Sequence, residues 1–357
     1  MAELASVATA LPPHVVTLAE TQVELGRHVG DRAAAARFRD MAGHSGIAER
    51  RLVIPLRDVV RLQTIEDRQR EYLRHAVALG ETVSREALVR ARVTPAEVDA
   101  VISVSCTGYM MPSLEVHLGR RLHLNPAARR IPLTELGCSA AVAALGLASD
   151  LLAPAAERRS VLVVSTELSS LSVQTVEPGV SDVMGGILFG DGAAAAVLTG
   201  DARGRGLRVV GSGTLLLPET GSDLGMRLTT TGFRLELSRH VPRLITRHLR
   251  SAATGFLADR GLALGDVAFW ALHPGGPRIM AAIADALGLS DAALRPTLDV
   301  WRRCGNVSST TVLLVLREIL DRHPPAPNAL GILLATGPGL SFEMALLRAP
   351  AAGAPSC

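Results

Sequence analysis

Six short, nearly continuous apolar runs punctuate this chain, at residues 101–105, 161–165, 193–198, 269–272, 331–335 and 342–347. Runs of this length, bounded by turn residues, predict strands covered on both faces. Between them lie stretches of helical length. Residues 139–152 are rich in Ala and Leu, free of Pro and followed by Pro154, which predicts a buried helix beginning at Cys138. Residues 307–320 predict an equivalent helix with Asn306 at its start. Strand and helix alternate, so the expected class is α/β with largely covered sheets. Breaks fall at 201–206, 218–225 and 323–327, and the Ala-Pro-Gly stretch 349–357 reads as a frayed, flexible tail.

The pattern occurs twice. Aligning Gly137-Cys138-Ser139 with Gly305-Asn306-Val307 places Cys138 on Asn306, and the same offset lays 101–105 on 269–273, so that Ser105 falls on His273. Residues 161–165 match 330–334 with a slip of one residue. Each half then closes with a glycine-rich loop and a last apolar strand, Gly190-Asp191-Gly192 in one and Gly337-Pro338-Gly339 in the other. Duplicated domains over 1–205 and 206–348 follow, with an extra stretch near 168–188 in the first half alone.

Composition narrows the function classes. The net charge of +3 over 357 residues, with no basic tract interleaved with aromatics, argues against nucleic acid as a partner. Aromatics are only 3% of the chain, so each well-placed Phe stands out. Every basic side chain other than His is Arg. The four cysteines, Cys106, Cys138, Cys304 and Cys357, lack the spacing of a zinc site or a disulfide framework, so no metal is expected. The N-terminus lacks a basic n-region, and the longest apolar stretch, 139–152, contains Asp150 and is too short to span a bilayer. The expectation is a reduced, cytoplasmic enzyme.

Cys138, His273 and Asn306 supply a thiol, an imidazole and a carboxamide, each beside small residues. A thiol at a helix start sits where backbone N–H groups favour negative charge. An oxyanion or enolate formed from a thioester needs fixed donors, which His and Asn provide. Asn is also a preferred helix cap, and it is the pairing with Cys138 in the repeat that brings it into the same site. Cys106 ends a strand near that site.

These motifs, together with Ala10-Leu11-Pro12-Pro13, Ser105-Cys106-Thr107-Gly108, Leu188-Phe189-Gly190-Asp191-Gly192, His273-Pro274-Gly275-Gly276-Pro277 and Gly337-Pro338-Gly339-Leu340, carry a resemblance. Over nearly its whole length the chain resembles a type III polyketide synthase of the chalcone and stilbene synthase family, in its bacterial branch. The resemblance implies a thiolase-like fold, two α/β halves layered αβαβα, and a homodimer. It implies that Cys138 holds the acyl starter and growing chain, and that His273 and Asn306 bind the malonyl thioester carbonyl and stabilise the enolate. Phe189 and Phe233 resemble the two gatekeepers between coenzyme A tunnel and cavity. Met111 matches a residue completing the partner's cavity, and Cys106, Ser169, Ser172, Leu224 and Ser308 match cavity positions. Arg50 and Arg51 lie where the family meets coenzyme A phosphates. Coenzyme A thioesters are the substrates, with no other cofactor and no acyl carrier protein expected.

The departures concern substrate. Ser169 and Ser172 stand where plant relatives usually have Thr, Leu224 where they have Gly, and Ala335-Thr336 where they have Gly-Phe. These changes disfavour a p-coumaroyl starter and favour an aliphatic acyl-CoA leading to an alkylpyrone or alkylresorcinol. Cys106 in Ser-Cys-Thr-Gly is similar to tetrahydroxynaphthalene synthases, which start from malonyl-CoA. A ketoacyl-ACP synthase III-like condensing enzyme and a catalytically silent acyl-CoA-binding homologue are the remaining alternatives.

Overall fold

The computed structural model describes residues 2–29, 32–153, 159–175, 178–200 and 206–352. The expected junction at 201–206 lies outside them except for Gly206, as does the tail beyond 352. The start of that tail is tied down, however: the Ala349 N–H donates to the Ala329 carbonyl at 2.8 Å and the Asn328 N–H to the Pro350 carbonyl at 3.1 Å.

In chain order the first half contains β1 (Glu3–Ala10), β2 (His14–Thr17), α1 (Leu18–Gly26), α2 (Arg32–Gly43), β3 (Glu49–Leu52), α3 (Leu56–Val59), α4 (Ile65–Ala91) and β4 (Val98–Val104). It continues with α5 (Leu114–Leu122), β5 (Arg129–Leu133), α6 (Ala140–Leu152), β6 (Ser160–Leu168), α7 (Val180–Leu188) and β7 (Asp191–Thr199). The second half has β8 (Leu207–Leu216), β9 (Leu224–Thr229), β10 (Gly232–Leu237), α8 (Val241–Ala258) and β11 (Val267–Leu272). It closes with α9 (Pro277–Leu287), α10 (Asp291–Cys304), α11 (Thr310–Arg322), β12 (Leu330–Gly337) and β13 (Ser341–Arg348). All six apolar runs are strands. The long α4 starts at a reciprocal cap, in which Thr64 Oγ1 accepts from the Asp67 N–H and the Asp67 carboxylate accepts from the Thr64 N–H.

The repeat is visible in the sheet. Strands run β11-β12-β13-β8-β1-β7-β6-β4-β5, and β4-β6-β7-β1 is mirrored by β11-β12-β13-β8. In both sets the first pair is parallel and the next two antiparallel. Both copies share a register irregularity, between Val98 and Ala100 and between Val267 and Phe269. Within this sheet, among the described residues, β1 and β8 join the halves, through Glu3 with Arg208 and Leu4 with Leu207.

Period-two alternation builds five layers from these strands. Val161 and Val163 of β6, with Leu333 and Ala335 of β12, face a core filled by α6 and α11. Leu162 and Val164 face outward to α4 and α5. Ile332 and Leu334 face outward to α8 and α9. The small residues Ala141, Ala144 and Ala148 of α6 let it sit between two sheets, with Leu145 fully buried among them. Replacing Leu145 by Ala at such a site costs about 2–5 kcal/mol. Because α6 and α11 share this central layer, the turns that start them open at one place between the halves.

Candidate active site

Each central helix is preceded by a glycine in the left-handed region, Gly137 at φ +53° and Gly305 at φ +65°. At Gly137 a Cβ would meet Pro338 Cγ at 2.6 Å, and at Gly305 it would meet the Leu188 carbonyl oxygen at 2.4 Å. Only glycine fits either position. Cys138 follows Gly137 in a tight 3-10 turn, Gly137–Ser139, continuous with α6. Asn306 follows Gly305 but lies in the approach to α11, which starts at Thr310, so it is not the helix cap. His273 is the residue after β11, its N–H donating to the Leu334 carbonyl at 2.8 Å.

Cys138, His273 and Asn306 line one cavity of about 70 Å³. Cys106, Thr107, Ser169, Phe189, Leu224, Thr336 and Ser308 share its walls, and Met226, Leu235 and Leu237 complete an apolar side. Those side chains come from one face of the β9–β10 hairpin, where Met226 pairs with Leu235 and Leu224 with Leu237. Beyond the cavity a groove of about 690 Å³ reaches the surface, sharing Leu188, Leu237, Gly275 and Ile279 with it.

The polar groups are individually held. Asn306 Oδ1 accepts the Ser308 N–H at 2.8 Å, so its NH₂ end is left for a substrate. Ser308 itself has φ +46°, an uncommon conformation for a residue with a Cβ. That conformation puts its hydroxyl 3.5 Å from Cys138 Sγ and 3.1 Å from Cys106 Sγ. Behind them Glu167 is fully buried and accepts from the Cys106 N–H at 3.0 Å, from Thr107 Oγ1 at 2.8 Å and from Ser309 Oγ. Burial raises its carboxyl above the ordinary range, and the Ser309, Cys106 and Thr107 bonds partly offset this.

Electrostatically the site is dry. Burial pushes the Cys138 thiol up to about 11, against a lowering by the Ser308 hydroxyl, and pushes the His273 imidazole down to about 4. At Cys138, burial thus opposes the lowering expected of the helix start. It disfavours the charged form of each group taken singly. His273 Nδ1 is buried without a hydrogen-bond partner.

Comparison with known proteins decides the family. Residues 2–202 match the chalcone and stilbene synthase N-terminal domain, and residues 208–350 match the C-terminal domain. The chain belongs to the chalcone and stilbene synthase family. It is a type III polyketide synthase, a condensing acyltransferase. The 1,3,6,8-tetrahydroxynaphthalene synthase of Streptomyces peucetius subsp. caesius is 36% identical over 353 residues, covering 97% of this chain and 92% of that protein. The alpha-pyrone synthesis polyketide synthase-like Pks18 of Mycobacterium tuberculosis is 30% identical over 355 residues, covering 96% and 90%. The crystal structure of tetrahydroxynaphthalene synthase from Streptomyces coelicolor A3(2), a bacterial type III polyketide synthase, superposes with a TM-score of 0.93 at 32% identity, covering 98% of this chain and 100% of that one.

Within the synthase, several residues suggested by the resemblance stand elsewhere. Phe233 does not line the cavity; it pairs with Leu228 further along the hairpin, and Leu235, two residues on, takes the wall position. Ser172 is buried outside the lining. Met111, expected to complete a partner's cavity and not its own, is 81% exposed.

Arg50 is corrected outright. Its side chain is buried, Nη1 donating to the Gly186 and Phe189 carbonyls at 2.7 Å each and Nη2 to Thr21 Oγ1 at 2.6 Å. No coenzyme A phosphate can reach it. Instead it clamps the segment carrying Phe189, which is stitched to Asn306: the Asn306 N–H donates to the Leu188 carbonyl at 2.7 Å and the Gly190 N–H to the Asn306 carbonyl at 3.0 Å. Arg51 lies with Glu49, Arg303 and Arg317 in a separate depression. The mouth of the groove carries Arg239 and Arg278 instead.

Glu167, Met226, Leu235, Leu237 and Arg239 escaped the sequence reading. An acid at the end of the apolar run 161–168 was a signal for the first of these. A possible metal-binding trio, Asp299, Glu318 and His323, lies off the cavity, and Glu318 is already engaged by Arg303 at 2.6 Å and Arg322 at 3.4 Å. No helix among the described residues is long and apolar enough to cross a membrane.

Proposed function

We propose that this synthase primes itself with malonyl-CoA and builds a small aromatic polyketide of the tetrahydroxynaphthalene type. The observation that carries the reading is the small cavity, about 70 Å³ behind the wall of Leu224, Met226, Leu235 and Leu237. At roughly 10–15 Å³ per water-sized site, it holds only a handful of heavy atoms before the wall must move. The resting cavity is therefore sized for a two- or three-carbon starter acyl group, and its wall must move as the polyketide grows. Similarity to tetrahydroxynaphthalene synthases along nearly the whole chain supports the same choice over the longer aliphatic starter suggested by the sequence alone.

In this reading Cys138 Sγ attacks the thioester carbonyl, its proton passes to His273, and coenzyme A leaves as the thiol after taking that proton. The His273 N–H and the Asn306 NH₂ then hold the carbonyl oxygen of a malonyl thioester. A carboxylate in apolar surroundings loses its hydration, which favours release of CO₂, and the two donors stabilise the enolate. The enolate carbon attacks the acyl group on Cys138, forming the new C–C bond and freeing the sulfur. Arg239 and Arg278 meet the coenzyme A phosphates at the groove mouth, and coenzyme A thioesters supply every reactant, as in the cytoplasm.

A homodimer is part of the proposal. Tyr109 and Met111 are 60% and 81% exposed, and Leu73 is 43% exposed; exposed apolar side chains of this size suit a surface covered by a second copy. A Met111→Glu variant that remained dimeric by light scattering would remove that surface from the interface.

The test is to incubate the protein and its Cys138→Ala variant with malonyl-CoA, alone and with acetyl-, hexanoyl-, lauroyl- or p-coumaroyl-CoA, and identify products by mass spectrometry. An aromatic product from malonyl-CoA alone, absent with Cys138→Ala, is expected. Product only when hexanoyl- or lauroyl-CoA is present would replace this reading with an alkylpyrone or alkylresorcinol synthase.

A further inference from the structure

The apolar wall of the cavity stands apart from the central sheet. Hairpin β9–β10 forms a two-stranded sheet of its own. Leu224, Met226, Leu235 and Leu237 turn inward from it, while behind them Arg227 and Glu236 are exposed and pair with each other at 2.8 Å. The middle of the wall therefore backs on solvent. At the open end the Gly339 N–H donates to the Leu224 carbonyl at 2.9 Å. Near the turn the Ile65 N–H donates to the Thr230 carbonyl at 3.0 Å, Gln174 Nε2 donates to the Phe233 carbonyl at 3.0 Å, and Arg234 meets Asp182 of α7 at 3.5 Å.

The turn is also gripped by a buried cation. Arg68, in the first turn of α4, is 5% exposed. Its Nε donates to the Thr231 carbonyl at 2.7 Å, Nη1 to the Leu171 carbonyl at 2.8 Å and Nη2 to the Leu62 carbonyl at 2.8 Å. The hairpin turn, the 3-10 turn Ser169–Ser172 and the loop before α4 thus meet on one planar fork, which fixes where the three carbonyls stand relative to one another. The hairpin closes tightly onto it: a Cβ at Gly232, whose φ is +120°, would stand 2.7 Å from Arg68 Cδ. Ser169, at the start of the 3-10 turn, lines the cavity too, its hydroxyl buried without a hydrogen-bond partner. None of the three acceptors is a carboxylate, and a cation in the first turn of a helix opposes the macrodipole. Burying the charge in this way is unfavourable in itself. What the group contributes is placement: it joins a polar and an apolar side of the same cavity.

We infer that Arg68 is a positioning residue for starter selection, setting the resting width of the cavity beside Cys138 by holding the hairpin turn against the turn that carries Ser169. The inference deepens the small-starter reading proposed above and rests on it. A starter meets the wall at rest, before any covalent bond holds it in the cavity, so the clamp acts on priming and not on later growth of the chain. With the clamp removed, the wall has room to give on its solvent side and a longer acyl chain enters. The catalytic trio is carried by other elements, the start of α6, the end of β11 and the turn at Gly305, and keeps its place. A pocket that rejects one methylene discriminates by about 10- to 200-fold, so a small shift of the wall is enough to change the preferred starter.

The experiment follows acylation of Cys138 by acetyl-CoA and by hexanoyl-CoA in single turnovers, read by intact-protein mass, for the wild-type enzyme, Arg68→Met and Gln174→Leu. Wild type should take the acetyl group at least about tenfold faster than the hexanoyl group. Arg68→Met, close in volume but without a donor, should raise the hexanoyl-to-acetyl ratio at least about tenfold while its acetyl rate stays within about threefold of wild type. Gln174→Leu removes the tie to the Phe233 carbonyl and should move the ratio the same way by at least about threefold; it decides alone if Arg68→Met does not fold. A wild type that takes both groups equally would overturn the small-starter reading and this inference together. Discrimination in the wild type that is unchanged in the variants, or acetyl and hexanoyl rates that fall together, would overturn the role of Arg68 and leave the proposed function standing.

Discussion

Replacing Arg50 by Met keeps most of the side-chain volume and removes every donor of the clamp. The Gly186 and Phe189 carbonyls and the Thr21 hydroxyl then lose their partner in a buried place. At about 1–3 kcal/mol for each buried acceptor left unpaired, softened by local shifts, the loss should be about 3–6 kcal/mol. That is a large part of the 5–15 kcal/mol typical of a folded domain, so the variant should fold but melt lower, by roughly 6–12 °C at about 2 °C per kcal/mol. The catalytic effect follows from the bridge between the Phe189 segment and Asn306. A loosened Asn306 loses part of the 10²–10³-fold associated with one oxyanion donor, so kcat should fall about 10- to 100-fold with little change in KM for malonyl-CoA. Differential scanning fluorimetry and a malonyl-CoA turnover assay check the two halves of the prediction. An unchanged melting temperature with an unchanged kcat and a raised KM would refute the clamp and return Arg50 to phosphate binding.

Other expectations concern the cavity. Ser308→Ala removes the one hydroxyl that lowers the Cys138 thiol pKa, so the pH profile of Cys138 alkylation, followed by peptide mass, should move upward. Asn306→Ala should lower malonyl-CoA decarboxylation by about 10²–10³-fold while Cys138 still takes an acyl group from acetyl-CoA, separable in single-turnover experiments. Because His273 must be neutral to accept the thiol proton and burial lowers its pKa to about 4, the acid limb of kcat/KM should lie near pH 4; a limb at 6.5 or above would point to a resting thiolate–imidazolium pair. Leu235→Ala should enlarge the cavity and admit hexanoyl-CoA as a starter, read from the product masses.

The strands, the two central helices and the catalytic trio were legible because each leaves a local mark: an apolar run, a Pro-bounded stretch, a glycine before the reactive residue. The β9–β10 hairpin was legible in principle, since Leu224, Met226 and Leu228 face Leu237, Leu235 and Phe233 at period two across a Thr-Gly turn. Its role was not, because the wall is made of side chains without chemistry, and residue type alone drew attention to Phe233 over Leu235. Arg50 was misread for a different reason. Whether an arginine in a basic stretch faces water or the interior depends on room made far away in sequence, here beside Gly305, where an added Cβ would crowd its stem. Arg239 and Arg278 carry no motif; only the fold brings them to one opening.

The seam at β1 bears on how the protein is made. This strand leaves the ribosome well before its partners, β7, about 190 residues later, and β8 beyond that. At about 5–20 residues per second, the strand waits some 10–40 s for β7 to be synthesised. During that interval its backbone groups are open to pairing with neighbouring nascent chains, the hazard of an unprotected edge. Slower translation between β1 and β7 should therefore lower soluble yield even though the finished enzyme would be identical.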